Sequence, residues 1–304
     1  MFAAFVPILV LLGIGLAFGR LKLLPEQTPE VLNRLVIVLC LPALIFRHLP
    51  GLNLEAELLA LIAVPWLLLV ASILLVLLAG RLFDWPRPVL IVLALLLPLG
   101  NTSFLGYPLV SALLGADRVA YAVVYDQFGS FLILSTYAVI VLAVFGGGGP
   151  IGWREITGRL ASFPPFIALV LALLLGNHWF PFWLDLIVDY LADMLVPLVM
   201  LAVGLQMKFR LSRSEVSPLI FGLVAKLIVL PALAWPLARG LGARPEVFEV
   251  VVLEAAMPPM ITAALMLVAA RQAPVLANAL VGYGVLLAML TIPAWVWLLG
   301  LSSH

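Results

Sequence analysis

Three consecutive polar residues, Asn101, Thr102 and Ser103, lie inside an otherwise apolar run, and Gly106 and Pro108 follow them. Proline lacks an amide hydrogen and clashes with the carbonyl group four residues before it, so a continuous helix through this run is not expected. A helix that restarts here presents free N–H groups and the positive end of its dipole. A carboxylate or another small anion suits such a helix start.

A second apolar run is interrupted by the adjacent prolines Pro258 and Pro259, with Met260 and Thr262 directly after them. Two interrupted helices at corresponding places in two halves of a chain are typical of a midplane substrate site in secondary transporters. The alternative is a purely structural role, in which the prolines make ordinary kinks and the polar residues form hydrogen bonds between helices. The predicted substrate site consists of Asn101, Thr102, Ser103, Gly106, Pro108, Pro258, Pro259, Met260 and Thr262.

Carboxylates inside apolar runs form a second group of candidates. Asp126, followed directly by Gln127, lies in the fifth run, and Glu254 lies one turn before the paired prolines. A charge near the bilayer centre is costly, so such a residue is a functional candidate. We predict ion or proton coupling at Asp126, Gln127 and Glu254. The alternative for Asp126 is a structural hydrogen bond to the broken backbone. The alternatives for Glu254 are pairing with Lys226 and a position near the outer interface of the membrane.

Lys226 falls near the middle of the eighth apolar run, where an unpaired ammonium group is costly. We expect a structural ion pair rather than a reactive amine. Its candidate partners are Asp193, Asp126 and Glu254.

These residues are carried by a chain of 304 residues that is 65% hydrophobic and 10% charged. Soluble domains carry about 25% charged residues, so an all-α polytopic membrane protein is predicted. Runs of about 18 to 28 apolar residues match the length of a membrane-spanning helix. Ten spans are predicted, at Phe2–Gly19, Pro29–Phe46, Glu57–Gly80, Pro88–Gly115, Arg118–Phe145, Phe163–Phe180, Phe182–Met207, Glu215–Leu241, Glu246–Ala270 and Pro274–Leu301.

The ten spans divide into two halves of five, residues 1–145 and 163–304, joined by a linker at 146–162. An odd number of spans in each half turns the halves upside down relative to each other, so related halves would form an inverted repeat. At an offset of 155 residues, Pro42 falls on Pro197 and Ser103 on Pro258. Spans four and nine are then the broken, crossing helices.

The distribution of lysine and arginine between the loops predicts orientation. Ten of these residues lie in the odd-numbered loops and four in the even-numbered loops. Because positive loops stay in the cytoplasm, both termini should lie outside a cell (inner or plasma) membrane, with the linker 146–162 on the cytoplasmic side.

Several classes of function are disfavoured. The net charge of +1 and the lack of a basic block argue against a nucleic-acid partner. Cys40 is alone, so neither a disulfide framework nor a cysteine metal site is expected. The chain lacks a His-Glu-x-x-His motif and a Gly-x-Gly-Asp motif. We therefore expect neither an enzyme nor a cofactor, apart from H⁺ or Na⁺ as a coupling ion.

The run from Gly100 to Leu109, Gly-Asn-Thr-Ser-Phe-Leu-Gly-Tyr-Pro-Leu, resembles the fourth-helix signature of the auxin efflux carrier family. That signature is usually Gly-Asn-Thr-Gly-Phe-Leu-Gly-hydrophobic-Pro. Four other stretches resemble the second, seventh, ninth and tenth helices of the family: Asn33–Phe46, Pro197–Leu205, Ala255–Pro258 and Leu290–Pro293.

The resemblance implies a carrier of ten helices in two inverted halves, similar to bile-acid symporters and sodium/proton antiporters. Helices of both halves would then form a scaffold domain and a transport domain that move relative to each other. It also implies that Asn101, Pro108, Pro258 and Pro259 surround the substrate. Ser103 stands where the family has glycine and Tyr107 where it has an aliphatic residue, so a different pocket is expected.

In the related bile-acid symporters, a glutamate just before the ninth-helix crossing is a sodium ligand. The resemblance carries this role to Glu254, with Asn101 or Thr102 supplying neutral oxygens. A sodium- or proton-coupled symporter or antiporter of that type is an alternative to a potential-driven carrier.

The leading functional prediction is a secondary active transporter of a small organic anion, such as a dicarboxylate or an auxin-like weak acid. It would work by elevator-like alternating access. A membrane-embedded sensor and an intramembrane enzyme are the alternatives from other classes. The expected partners are the substrate, membrane lipids and a second copy bound through the scaffold helices.

Overall fold

The computed structural model describes residues 2–49, 58–145, 153–175, 180–207 and 213–300. Throughout these ranges the regular secondary structure is helical. Helices satisfy every backbone hydrogen bond within one segment, which long apolar runs in lipid require. The predicted glycine-rich start of the linker, at 146–150, and the predicted end of span ten at Leu301 lie outside the described residues.

The first half of the chain forms helices α1 to α8. Their bounds are α1 (Phe2–Leu21), α2 (Thr28–Leu35), α3 (Leu41–His48), α4 (Leu59–Phe83), α5 (Arg87–Leu96), α6 (Tyr107–Leu114), α7 (Val119–Tyr125) and α8 (Val139–Phe145).

The second half forms α9 to α17. Their bounds are α9 (Trp153–Ser162), α10 (Pro164–Leu175), α11 (Phe182–Asp193), α12 (Leu195–Gln206), α13 (Val216–Val224), α14 (Leu230–Gly240), α15 (Pro245–Ala255), α16 (Ile261–Ala269) and α17 (Pro274–Leu298). Short 3₁₀ turns at Ala116–Arg118 and Arg213–Glu215 precede α7 and α13.

Several of these helices are joined by π-helical segments. In a π-helix each backbone hydrogen bond spans one residue more than in an α-helix, so the turn is wider. In the described chain they lie at Val36–Cys40, Thr102–Gly106, Asp126–Phe131, Leu134–Ala138 and Ala225–Val229. Such segments occur frequently at functional sites. Three of them contain polar or charged candidates named above.

Six helical segments in the described ranges are long and apolar enough to cross a membrane: Thr28–His48, Leu59–Phe83, Ala116–Phe145, Phe182–Gln206, Val216–Gly240 and Pro274–Leu298. Shorter apolar helices lie at Val6–Leu21, Arg87–Leu96, Thr102–Leu114 and Pro164–Leu175. An all-helical, multi-pass membrane fold is thereby confirmed.

Helices from both halves of the chain pack into two groups. Along one side, α1 and α2 pack against α12, and α3 packs against α10 and α11. On the other side, α4 and α15 pack against α14, and α17 packs against α13 and α16. The first group is closely packed because Gly204 meets Gly15: a Cβ on Gly204 would lie 2.9 Å from the Gly15 Cα atom.

Two helical runs are interrupted. After α5 ends at Leu96, helical structure resumes only at Thr102. After α15 ends at Ala255, it resumes at Ile261. Both interruptions coincide with the small, polar and imino residues of the sequence.

The seventh predicted span differs in one detail. It was expected to be continuous over Phe182–Met207, but α11 ends at Asp193 and α12 begins at Leu195. Pro197 is the third residue of α12. Because proline has no amide hydrogen, it cannot donate to the carbonyl four residues earlier, at the end of α11, and the helix is interrupted there.

Candidate functional site

The two interrupted helices are joined at their breaks. The backbone N–H of Asn101 donates to the Pro258 carbonyl at 2.8 Å, and the Met260 N–H donates to the Leu99 carbonyl at 2.9 Å. Between these bonds, Gly100 and Pro259 form an antiparallel bridge. Extended backbone inside a membrane is tolerated only where its polar groups find partners or line a cavity. Each break supplies the partners of the other.

Glycine permits the close approach of side chains at this crossing. A Cβ atom on Gly106 would lie 2.8 Å from the Glu254 carboxyl carbon, and one on Gly100 would lie 3.1 Å from Lys226 Nζ. Distances under 3.0 Å require something to shift. The glycines of the fourth run therefore make room for the buried charges of the eighth and ninth runs.

Asp126 connects the π segment of the fifth run to the start of the second half-helix in the fourth. Its Oδ1 atom accepts hydrogen bonds from the Thr102 hydroxyl and, at 2.8 Å, from the Ser103 hydroxyl. Its Oδ2 atom accepts from the Tyr107 hydroxyl and from Gln127 Nε2, both at 2.8 Å. Four donors hold one fully buried carboxylate, so its position is strongly constrained.

A cavity of about 60 Å³ lies beside this network. Its polar wall comes from Asn101, Ser103, Asp126 and Thr262, which belong to the starts of both second half-helices and to the fifth run. The rest of the lining is apolar: Ile37, Leu41, Phe104, Phe131, Leu134, Phe163 and Met260. Ligand sites typically have volumes of about 300–1,000 Å³, so this partly open cavity is smaller than a typical ligand site and has room for only a few water molecules.

Buried polar atoms next to the cavity have free hydrogen-bonding capacity. Among the described residues, neither Asn101 Nδ2 nor Gln127 Oε1 has a hydrogen-bond partner. Buried polar groups in native proteins are rarely left unpaired, and the exceptions need an explanation. Asn101 is one of the residues that line the cavity, and its amide nitrogen has unused capacity to donate a hydrogen bond.

Two further charged groups are buried beside the crossing. Glu254 is completely buried, and neither of its carboxylate oxygens has a hydrogen-bond partner among the described residues. Lys226 is 2% exposed, and its ammonium group donates to the Ala255 carbonyl at 3.3 Å. The ion pairs within 4.0 Å that the described ranges contain do not include Lys226. The expected direct ion pair is therefore absent from the described part of the chain.

Asp193, one of the candidate partners of Lys226, pairs elsewhere. Its Oδ1 atom lies 2.6 Å from Arg47 Nη1, and Asp189 lies 3.2 Å from Arg47 Nε. All three side chains are at least one-third exposed. The pairing of Asp193 with Lys226 was wrong because α11 presents its carboxylates to α3 at the surface rather than to the crossing.

The predicted substrate residues fall into three places. Asn101, Ser103, Met260 and Thr262 line the cavity. Pro258 and Pro259 form the crossing with the fourth run, and Thr102 binds Asp126. Gly106 and Pro108 are buried and are not part of the cavity lining.

The predicted coupling residues are divided between the cavity lining and the packing around Gly106. Asp126 lines the cavity. Gln127 Nε2 donates a hydrogen bond to the Asp126 carboxylate. Glu254 lies against Gly106, away from the cavity lining.

Two contributions were missed by sequence reasoning. Tyr107 was noted only as a departure from a family pattern, yet its hydroxyl binds Asp126. Phe131 and Phe163 form a stacked pair at the cavity, with ring centroids 4.1 Å apart and an angle of 14°. A hydroxyl in an apolar run was a usable signal for Tyr107. No periodicity indicated that Phe163, next to the linker, meets the fifth run.

A comparison with known protein families identifies the family to which this chain belongs. A family of proteins described as "Membrane transport protein" matches residues 1–147 and 155–296. The chain belongs to this membrane transport protein family. The resemblance to auxin efflux carriers is thereby confirmed.

Two relatives of this family member are archaeal. An uncharacterized transporter of Methanothermobacter thermautotrophicus is 28% identical over 301 residues, covering 95% of each chain. An uncharacterized transporter of Methanocaldococcus jannaschii is 30% identical over 263 residues, covering 83% of this chain and 82% of its own length. The similarity to the first of these relatives extends over nearly the whole chain, so it includes both interrupted helices.

Proposed function

We propose that this member of the membrane transport protein family is a secondary active transporter of a small organic anion. The observation that carries the proposal is the cavity at the starts of both second half-helices, lined by Asn101 with its unpartnered amide nitrogen. Helix starts and an amide N–H all present hydrogen-bond donors, which suit a carboxylate. The apolar remainder of the lining suits a hydrocarbon or aromatic body.

Alternating access is supported by the size and the position of the cavity. A space of about 60 Å³ is too small for an organic acid, so a substrate enters only after its walls separate. Those walls include residues of both packing groups, with Leu41 in α3 of the first group and Thr262 in α16 of the second. Relative motion of the two groups, of the elevator type, would open the cavity to one membrane face at a time.

Coupling to a proton or a sodium ion is supported by Asp126 and Glu254. Both carboxyl groups are buried, and a buried carboxylate needs a cation, a donor network or protonation to offset its desolvation. An anionic substrate beside Asp126 would add a second negative charge to the cavity. Entry of a cation with the substrate would neutralise one of them, as in a symporter of the bile-acid type.

The finer architecture belongs to the same proposal. Ten membrane passes in two inverted halves fit the six long spans, the two shorter helices Val6–Leu21 and Pro164–Leu175, and two broken passes, of which one joins Arg87–Leu96 to Thr102–Leu114 and the other joins α15 to α16. With the loop charges, this arrangement supports termini outside the cell membrane and the linker 146–162 in the cytoplasm. The group containing α1, α2 and α12 would be the scaffold, and a second copy would pair through its lipid-facing side.

A thermal-shift screen of small mono- and dicarboxylates against the purified protein tests the proposal, since a ligand of the folded state raises its melting temperature. Each hit is then tested for uptake into proteoliposomes with imposed pH and sodium gradients. Uptake should depend on a cation gradient, and the dependence should be lost in Asp126→Asn or Glu254→Gln. If uptake were independent of both gradients and unchanged by both substitutions, the protein would be a uniporter. If no carboxylate raised the melting temperature, the assignment of an anionic substrate would be overturned.

A further inference from the structure

Two tryptophan side chains donate hydrogen bonds to backbone carbonyls inside neighbouring helices. Trp66 Nε1 in α4 donates to the carbonyl of Phe128 at 2.9 Å, and Trp295 Nε1 in α17 donates to the carbonyl of Leu227 at 2.9 Å. Carbonyls inside a regular α-helix are already bonded to the amide four residues later. Both acceptors are therefore in unusual positions.

The Phe128 carbonyl lies within the π segment Asp126–Phe131. In an α-helix it would accept the N–H of Leu132, but that N–H donates to Gly129 instead. The wider turn leaves the Phe128 carbonyl without this partner, and the indole of Trp66 takes its place.

The Leu227 carbonyl lies within the π segment Ala225–Val229, four residues before Pro231. Proline has no amide hydrogen, so an α-helical bond to Leu227 cannot form. The buried indole of Trp295 provides the donor. In both helices an indole N–H thus pairs with a carbonyl that lacks its α-helical partner. The partner is missing because of the wider turn at Phe128 and because of Pro231 at Leu227.

Each indole bond lies next to a buried ionisable residue. Asp126 precedes Phe128 by two residues, and Lys226 directly precedes Leu227. Removing one residue from a π turn would rotate the residues before it by about 100° relative to those after it. Asp126 would then leave its four hydrogen-bond donors, and Lys226 would leave the Ala255 carbonyl. The direction of both side chains thus depends on the π segments.

We propose that Trp66 and Trp295 are positioning residues that hold the two π segments and thereby direct Asp126 and Lys226 toward the helix crossing. An unpaired buried carbonyl is costly, so each indole N–H stabilises the π turn relative to a regular helix. A role of this positioning in ion coupling at Asp126 rests on the proposed function, whereas the direction of the two side chains does not.

A double-mutant cycle on thermal unfolding tests the claim without any substrate. Trp66→Phe removes the N–H donor and keeps an aromatic ring, and we expect it to lower the melting temperature by roughly 2–4 °C, as the loss of one hydrogen bond does. In an Asp126→Ala background, the same change should lower the temperature by less than half as much, because the network that the π turn serves is already lost. If Asp126→Ala does not fold, Thr102→Val provides the background.

The second tryptophan gives an independent cycle, with Trp295→Phe measured alone and in Lys226→Met. Trp297→Phe is the matched control, since Trp297 lies in the same helix with 67% of its surface exposed. Equal losses in both backgrounds would show that the indoles only fill space, and would overturn the positioning role. Such additivity would leave the transport proposal standing, while failure of carboxylate binding would leave the cycles unaffected.

Discussion

The ammonium group of Lys226 donates to the carbonyl of Ala255 at 3.3 Å, at the end of the first half-helix of the ninth run. A cation is stabilised at a helix C-terminus, just as an anion is stabilised at an N-terminus. The crossing therefore brings together helix ends of opposite partial charge. The half-helix starts face the cavity with Asn101 and Thr262, and a half-helix end faces Lys226.

Glu254 and Lys226 should depend on each other for stability. Lys226→Met leaves the buried Glu254 carboxylate without a nearby cation, and Glu254→Gln leaves the buried ammonium without a nearby anion. Because the two groups are near each other without a direct ion pair in the described chain, we expect each single substitution to cost about 1–3 kcal/mol, as when a buried polar group loses a favourable neighbour. The double variant Lys226→Met/Glu254→Gln should be more stable than either single variant, measured by thermal unfolding in detergent.

Arg47→Ala provides the control for this pair of charges, because its ion pairs with Asp189 and Asp193 are exposed. Exposed pairs contribute about 0–1 kcal/mol, so this variant should unfold close to the parent protein. If the double variant were as unstable as the sum of its single changes, Lys226 and Glu254 would not be coupled.

Asn101→Ala should remove solute binding and leave the fold intact. Its amide nitrogen has no partner within the described chain, so the substitution breaks no internal bond of that atom. We expect a change in melting temperature within a few degrees, together with loss of the thermal shift produced by a carboxylate ligand. Asn278→Ala, in α17 and outside the cavity lining, is the control that should keep the shift. Normal transport by Asn101→Ala would remove the crossing from the substrate site.

Gly106→Ala should strain the crossing. The added methyl group would lie 2.8 Å from the Glu254 carboxyl carbon, and overpacking of this kind costs about 1–3 kcal/mol. Gly13→Ala is the matched control, because a Cβ there meets no atom within 4 Å and alanine favours a helix. Thermal unfolding should show a loss for the first variant and none for the second. Adding Glu254→Ala to Gly106→Ala should recover part of the loss; no recovery would mean that the strain arises elsewhere.

The helical breaks could be predicted from the sequence because proline and glycine act locally. Pro258 and Pro259 lack amide hydrogens whatever surrounds them, and Gly100 to Pro108 contains residues that disfavour a helix. The bonds between the breaks could only be inferred from a family resemblance. Sequence alone does not state that Asn101 binds the Pro258 carbonyl, since that bond joins residues 157 positions apart.

The partners of buried charges were harder to predict than the charges themselves. Asp126 stood out as a carboxylate in an apolar run, but its position depends on a π turn that shifts the helical register by one residue. Such a shift leaves no signature in hydrophobic periodicity, so the bonds from Thr102, Ser103 and Tyr107 were not foreseen. For the same reason the sequence pattern does not indicate that Trp66 and Trp295 donate to helix carbonyls.

The stacked rings of Phe131 and Phe163 give the last prediction, which concerns access to the cavity. Phe163 lies between α9 and α10, and its ring closes the cavity against the fifth run. An aromatic pair contributes about 0.5–1.5 kcal/mol beyond its buried area, so losing it should make opening up to about tenfold more frequent.

Thr262→Cys, in a Cys40→Ala background that removes the natural thiol, reports this opening because Thr262 lines the cavity. A water-soluble methanethiosulfonate reagent should label it up to about tenfold faster in Phe163→Ala, because the barrier contributed by the ring pair is lost. Phe163→Leu, which keeps most of the apolar volume, should give an intermediate rate. Phe182→Ala is the control, since Phe182 is 78% exposed and does not line the cavity. Equal labelling of the Phe163→Ala and Phe182→Ala proteins would mean that the cavity opens by a route that does not separate these rings.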